Sequence, residues 1–196
     1  MIALVDYGNE KIESIAGALS SLNVNFKITQ SESEIISSEK VIFPGYGEAS
    51  DAIKKLHLTN LYSVLRLCKK PMLGVCLGMQ LMADISTEGG KIQCLGIFPV
   101  VAEKFSGEKM KVPFSCWSEV EILEDSKLFT GLNKKENFYF GNSYYLPVNE
   151  FTTSVSENVV KFSATVEKDN YYAVQFYPEK SGDAGQKVLQ NFIELC

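Results

Sequence analysis

The chain carries a single histidine, His57, and a single tryptophan. Its five cysteines (Cys68, Cys76, Cys94, Cys116 and Cys196) are scattered and include no CxxC pair. A zinc site draws on clustered His and Cys ligands, so none is expected. An odd, scattered set of cysteines is also a poor disulfide framework, and reduced thiols in the cytoplasm are the expectation. Long apolar runs are missing too. No stretch approaches the ~20 residues that cross a bilayer. The start, Met1 to Asp6, meets an acid too early for a signal peptide. There is no basic excess: 19 Lys and Arg stand against 24 Asp and Glu, a net charge of −5. That excludes the positive footprint of a nucleic-acid-binding surface.

What is present fits one well-cored domain. The 196 residues are 45% hydrophobic and 22% charged, within the range of ordinary globular chains. The first ~85 residues alternate short apolar runs with amphipathic stretches. Ile2–Val5, Val24–Thr29, Lys40–Phe43 and Met72–Val75 read as strands. The helical spacing of Ile12, Ile15, Ala16, Leu19 and Leu22 predicts a helix after the first strand. Ile53 to Cys68 reads as one or two more, and Leu77 to Ala83 as another. Strand–helix alternation is the pattern of a parallel α/β sheet. Afterwards the pattern changes. Ile97–Phe105, Trp117–Leu123, Asn137–Val148, Val159–Glu167 and Tyr171–Phe176 are aromatic or β-branched runs separated by turn residues. A last helix is spaced by Val188, Leu189, Phe192 and Leu195. The expectation is a single domain over 1–196, a parallel core with an antiparallel extension.

One pentapeptide carries the strongest chemical signal. Gly74-Val75-Cys76-Leu77-Gly78 has the form Gly-x-nucleophile-x-Gly between an apolar strand and an apolar helix. That is the layout of a nucleophile elbow, in which small neighbours permit a strained turn. The following amide, that of Leu77, can face a developing oxyanion, and a helix start favours thiolate. The plain alternative is a buried structural cysteine. A second segment, Pro44-Gly45-Tyr46-Gly47, also ends a strand. It reads either as a tight turn or as an oxyanion strand beside the nucleophile.

The segments FPGYGEAS, MLGVCLGMQLM, LGIFPV, KVPFSCW, FYFGNSYYLPV and YAVQFYPEKSG occur in this order along nearly the whole chain. Together they resemble the class I glutamine amidotransferases. Within that class they are most similar to the glutaminase subunits of imidazole glycerol phosphate synthase, in histidine biosynthesis. The resemblance implies a three-layer, flavodoxin-like α/β fold with a mostly parallel central sheet. It implies hydrolysis of glutamine to glutamate and ammonia without a cofactor or metal. The ammonia would pass to a (β/α)8-barrel synthase, the partner in a heterodimer. Carried over by position, Cys76 is the nucleophile and Glu179 the carboxylate that orients the proton relay. Gly45 and Tyr46 fall in the oxyanion strand with the Leu77 amide as second donor. Gly47, Gln80, Ser143 and Tyr144 fall where the family holds glutamine.

The relay position itself departs from that family. A histidine is implied at 177, and the chain has Tyr177. Phe114 and Asn142 also stand where histidines are usual, and Cys116 precedes Trp117 in place of glycine. A phenol with an ordinary pKa of ~10 is a poor base at neutral pH beside an imidazole of ~6.5. Impaired hydrolysis is therefore expected, with the Cys76 thiol held somewhat below its free value by the helix start. His57, in Lys54-Lys55-Leu56-His57, reads as a surface residue and no substitute. Two other outcomes fit the same residues: a non-catalytic module that kept the fold, or an amidotransferase subunit of a surface-sugar pathway.

Overall fold

The computed structural model describes residues 1–8, 11–106 and 113–196. Asn9 of the first loop, and Lys111 and Val112 of the KVPFSCW segment, lie outside the described residues. In the first half, β1 (Ile2–Val5), β2 (Phe26–Thr29), β3 (Lys40–Gly45) and β4 (Met72–Cys76) alternate with α1 (Ile12–Ser21), α2 (Glu32–Ser37), α3 (Ala49–Leu58), α4 (Leu61–Arg66) and α5 (Leu77–Met82). Then come β5 (Ala83–Ser86), β6 (Ile92–Gln93), β7 (Phe98–Lys104), β8 (Phe114–Ile122), β9 (Lys135–Asn142), β10 (Tyr144–Tyr145), β11 (Thr152–Glu157), β12 (Lys161–Lys168) and β13 (Tyr171–Val174). Short 3₁₀ turns cover Lys127–Phe129 and Pro178–Lys180, and α6 (Gly182–Leu195) closes the chain.

The main sheet has nine strands in the order β2-β1-β3-β4-β13-β12-β11-β8-β9. From β2 to β13 every neighbour is parallel, and from β13 to β9 every neighbour is antiparallel. The switch falls at β13, so β4 sits deep in the sheet with β3 and β13 on either side. Strand side chains alternate between faces. Ala3 and Val5 pack with Ile53, Leu56, Leu61, Leu65 and Met82 from α3, α4 and α5. Ile2 and Leu4 pack with Ile15 and Leu19 of α1 and Val188, Leu189 and Phe192 of α6. Helices thus cover both faces, the three layers expected. No helix of the described residues is long and apolar enough to cross a membrane.

The structure departs from the sequence reading in its polar and short elements. Asn137–Val148 is not one strand: β9 belongs to the main sheet, while β10 pairs with β7 in a separate four-stranded sheet. β5 and β6, which complete that small sheet, and α2 have no strong apolar period and went unread. β11 was missed because its sequence, TTSVSE, is polar yet buried. Its hydroxyls are satisfied across the ladder: Thr152 with Ser163, and Thr153 and Ser154 with Thr165, each at 2.7 Å. Such pairing removes most of the cost of burying polar groups.

Below the loop that follows β9, Phe162 of β12 is fully buried. Its ring contacts Phe105, Phe114, Phe140 and Tyr145 at centroid separations of 5.3 to 6.3 Å. Phe162→Ala is expected to cost about 3–5 kcal/mol through lost burial and the cavity left behind. Urea unfolding of the two proteins measures this, and a loss below about 1 kcal/mol would contradict the packing.

Candidate active site

Cys76 ends β4 and α5 begins at the next residue. Its backbone sits at φ +53° and ψ −108°, a region that side-chain-bearing residues rarely occupy. Glycine makes the turn possible at three points. A Cβ on Gly78 would lie 2.0 Å from the Phe43 carbonyl oxygen, and one on Gly45 would lie 2.4 Å from the Gly78 nitrogen. A Cβ on Gly74 would lie 2.4 Å from Met82 Sδ. β3 and α5 therefore touch backbone to backbone, and Gly45 pairs with Cys76 in the β3–β4 ladder.

A cavity of about 190 Å³ opens at this turn. It is lined by Tyr46, Gly47, Cys76, Leu77, Gln80, Ser143, Tyr144 and Tyr177, all candidates from the sequence. Gly45 lies behind it in β3, and Glu179 stands behind Tyr46. Glu88, Gly141 and Asn142 also line it. Glu88 was missed by sequence reasoning because it stands in an unremarkable Thr-Glu-Gly-Gly loop. Its carboxylate accepts from the Ala49 amide at 2.5 Å, and burial raises its pKa. His57 is exposed, stacked on Tyr62 at 4.3 Å, and does not line the cavity.

The carboxylate of Glu179 is engaged differently from the expectation that it orients residue 177. One of its oxygens accepts a hydrogen bond from the Tyr46 hydroxyl, and the other is buried without a partner among the described residues. Tyr46 lies flat on Tyr177, with ring centroids 5.2 Å apart and planes 8° apart. The Tyr177 hydroxyl lies 3.3 Å from the Gly141 carbonyl oxygen and within hydrogen-bonding reach of the Cys76 thiol. Lys180 Nζ sits 4.7 Å from the centre of the Tyr177 ring. Gly141 leaves the space the larger ring needs, since a Cβ there would meet Tyr177 Cε2 at 2.8 Å.

The remaining polar groups form the inner wall. Gln80 Nε2 donates to the Tyr144 carbonyl at 2.9 Å and to Gln175 Oε1 at 3.1 Å. Gln175 Nε2 in turn donates to Cys76 Sγ at 3.7 Å. Asn142 Nδ2 donates to the Tyr144 carbonyl at 2.9 Å. The backbone amide of Leu77 reaches the Cys76 sulfur, whereas that of Tyr46 faces the Tyr7 hydroxyl.

Electrostatics corrects the expectation of a lowered thiol pKa. Burial pushes Cys76 up to about 12, and Glu179 adds to the rise. The hydrogen bonds from Tyr177 and the Leu77 amide and the charge of Lys180 pull the other way and lose. A six-residue helix at the turn is not enough to offset removal from water. Burial also raises both phenols, with the neighbouring thiol adding for Tyr177 and Glu179 adding for Tyr46. Thiol and phenols are all neutral at pH 7.

The class-I glutamine amidotransferase family matches residues 3–195. The chain belongs to that family. It is 41% identical over 196 residues to an imidazole glycerol phosphate synthase subunit HisH of Bacteroides fragilis, covering 99% of both chains. It is 42% identical to the same subunit of Bacteroides thetaiotaomicron, again covering 99% of each. The HisH protein of Buchnera aphidicola is 36% identical over 194 residues, with 99% of each covered. Among solved structures, one glutamine amidotransferase superimposes with a TM-score of 0.74 at 17% identity, covering 100% of this chain and 98% of that one. Another, from Thermotoga maritima, gives 0.61 at 14% identity, covering 98% and 82%. These last two share the fold.

In this amidotransferase the raised thiol pKa predicts a rate signature. Only roughly one thiol in ten thousand is ionised at pH 8 when the pKa is about 12. Alkylation of Cys76 by iodoacetamide should rise about tenfold per pH unit from 7 to 10 without levelling, as read from the labelled peptide by mass spectrometry. A plateau below pH 9 would show a stabilised thiolate instead.

Proposed function

We propose that this chain is the glutaminase subunit of an imidazole glycerol phosphate synthase, with hydrolysis slowed by Tyr177. The reading is supported by its full-length likeness to HisH proteins and carried by one observation. A strained cysteine opens onto a cavity lined by the residues the family resemblance assigns to glutamine. Cys76 Sγ attacks the side-chain amide carbon, and the Leu77 amide donates to the oxyanion. The amide nitrogen takes up the proton given by the thiol and leaves as ammonia, and a thioester remains. Water then cleaves the thioester to glutamate and restores the thiol. Glu88 is the carboxylate on the cavity wall able to face the substrate's α-ammonium group. The ammonia is consumed by a (β/α)8 synthase subunit in the same cytoplasmic heterodimer.

Tyr177 sits where a proton carrier must stand, yet a neutral phenol neither extracts the thiol proton nor stabilises thiolate by charge. The buried Glu179 oxygen that has no partner among the described residues is an acceptor for an imidazole N–H at 177. Tyr177→His is therefore expected to raise ammonia release from glutamine by about 10²–10⁴-fold in the presence of the synthase partner. Equal turnover in the two proteins would sink the claim of impairment. The thiol pKa of about 12 also favours a second reading, a module that binds the synthase without chemistry. A glutamyl adduct on Cys76, sought by mass spectrometry after mixing with glutamine, separates the two: its appearance excludes the module.

A further inference from the structure

Glu179 and Cys76 are linked in this chain through two stacked phenols. The Glu179 carboxylate accepts from the Tyr46 hydroxyl, not from residue 177. The Tyr46 ring lies parallel to that of Tyr177, 8° and 5.2 Å away. The edge of the Tyr177 ring fills the space left by the missing side chain of Gly141, and its backbone amide is held by the Tyr139 carbonyl at 2.9 Å. The Tyr177 ring is thus bounded by the parallel face of Tyr46, by the glycine and, at 6.4 Å and a 35° tilt, by the ring of Tyr139. Tyr177 and Cys76 line the same cavity, with the hydroxyl at the end of that ring close enough to the thiol for each to affect the other's proton.

We propose that Tyr46 is a positioning residue for Cys76: Glu179 fixes the Tyr46 hydroxyl, and the Tyr46 ring sets where the Tyr177 hydroxyl meets the sulfur. This deepens the reading of Cys76 as the nucleophile and rests on it. With the thiol neutral, the Tyr177 hydroxyl donates to the Gly141 carbonyl at 3.3 Å. When thiolate forms, the Tyr177 hydroxyl rotates about its C–O bond and donates to sulfur, which needs no movement of the ring. A ring out of plane would lose that bond. The groups that bear on the sulfur are Gln175 after β13, Tyr177, Glu179 and Lys180 from the turn before α6, Tyr7 after β1, Tyr46 after β3 and the Leu77 amide. Among these, only the Tyr46 hydroxyl is bonded to Glu179.

The test is a double-mutant cycle on thiol reactivity, which requires no turnover of glutamine. Tyr46→Phe and Tyr177→Phe keep both rings and so keep access to the sulfur. Iodoacetamide labelling of Cys76 is followed from pH 7 to 10 in the full chain, the two single variants and the double. Tyr177→Phe removes a hydrogen bond to an ionised group and should slow labelling about tenfold. Tyr46→Phe should slow it at least about threefold in the wild-type background and not at all when residue 177 is already Phe. Slowing by the same factor in both backgrounds would overturn the proposal, as would no effect of Tyr46→Phe. Coupled labelling in a protein that releases no ammonia would uphold the positioning role and overturn only the glutaminase reading.

Discussion

The backbone of α5 rests directly on the backbone of β3, and the site depends on that contact. Gly78 has no room for a Cβ because the Phe43 carbonyl is in the way, and Gly45 has none because of Gly78. Two chain segments can approach this closely only where both lack side chains. The approach brings the Pro44-Gly45-Tyr46-Gly47 segment alongside the cysteine, so that one geometric condition positions both the sulfur and the wall of its cavity. It also forces Cys76 into its positive-φ turn, a strain of order 1–3 kcal/mol that the surrounding sheet must hold. The two large cores on either side of the sheet supply that rigidity.

Inside this frame the charge balance works against a thiolate. Lys180 lies over the rings of Tyr46 and Tyr177 and Glu179 stands behind Tyr46, so neither charge lines the pocket. Desolvation outweighs every favourable contact to the sulfur. A neutral, hydrogen-bonded cluster is the lower-energy arrangement, since burying an unpaired charge costs far more than burying paired dipoles. Burial raises the Glu179 carboxyl as well, against the hydrogen bond from Tyr46. The two tyrosines put uncharged phenols beside the thiol where an imidazolium would have brought a positive charge.

Much of this was legible in the residues. The parallel half was readable because each buried strand is a short apolar run and each helix has a 3.6-residue period. The glycines flanking Cys76 announced the turn, and family resemblance assigned the cavity residues that the fold then gathers. What stayed hidden depends on partners distant in sequence. The polar strand β11 is buried only because β12 offers matching hydroxyls. The break between β9 and β10 follows from pairing in two sheets, which no local pattern records. Glu88 gains meaning only where its loop meets the first turn of α3. The thiol pKa was misjudged because a helix start is visible in sequence and the depth of burial is not. The pairing of Glu179 with Tyr46 joins residues 133 positions apart.

The turn that carries Tyr177 also serves the sheet itself. β9 is a terminal strand, paired on one side only. Its outward Tyr139 carbonyl accepts from the Tyr177 amide, its Tyr139 amide donates to Ser181 Oγ, and its Gly141 carbonyl faces the Tyr177 hydroxyl. Those groups would otherwise form an open template for pairing with another chain. The residues beside the nucleophile therefore also occupy the backbone groups of a sheet edge, a guard against edge-to-edge pairing.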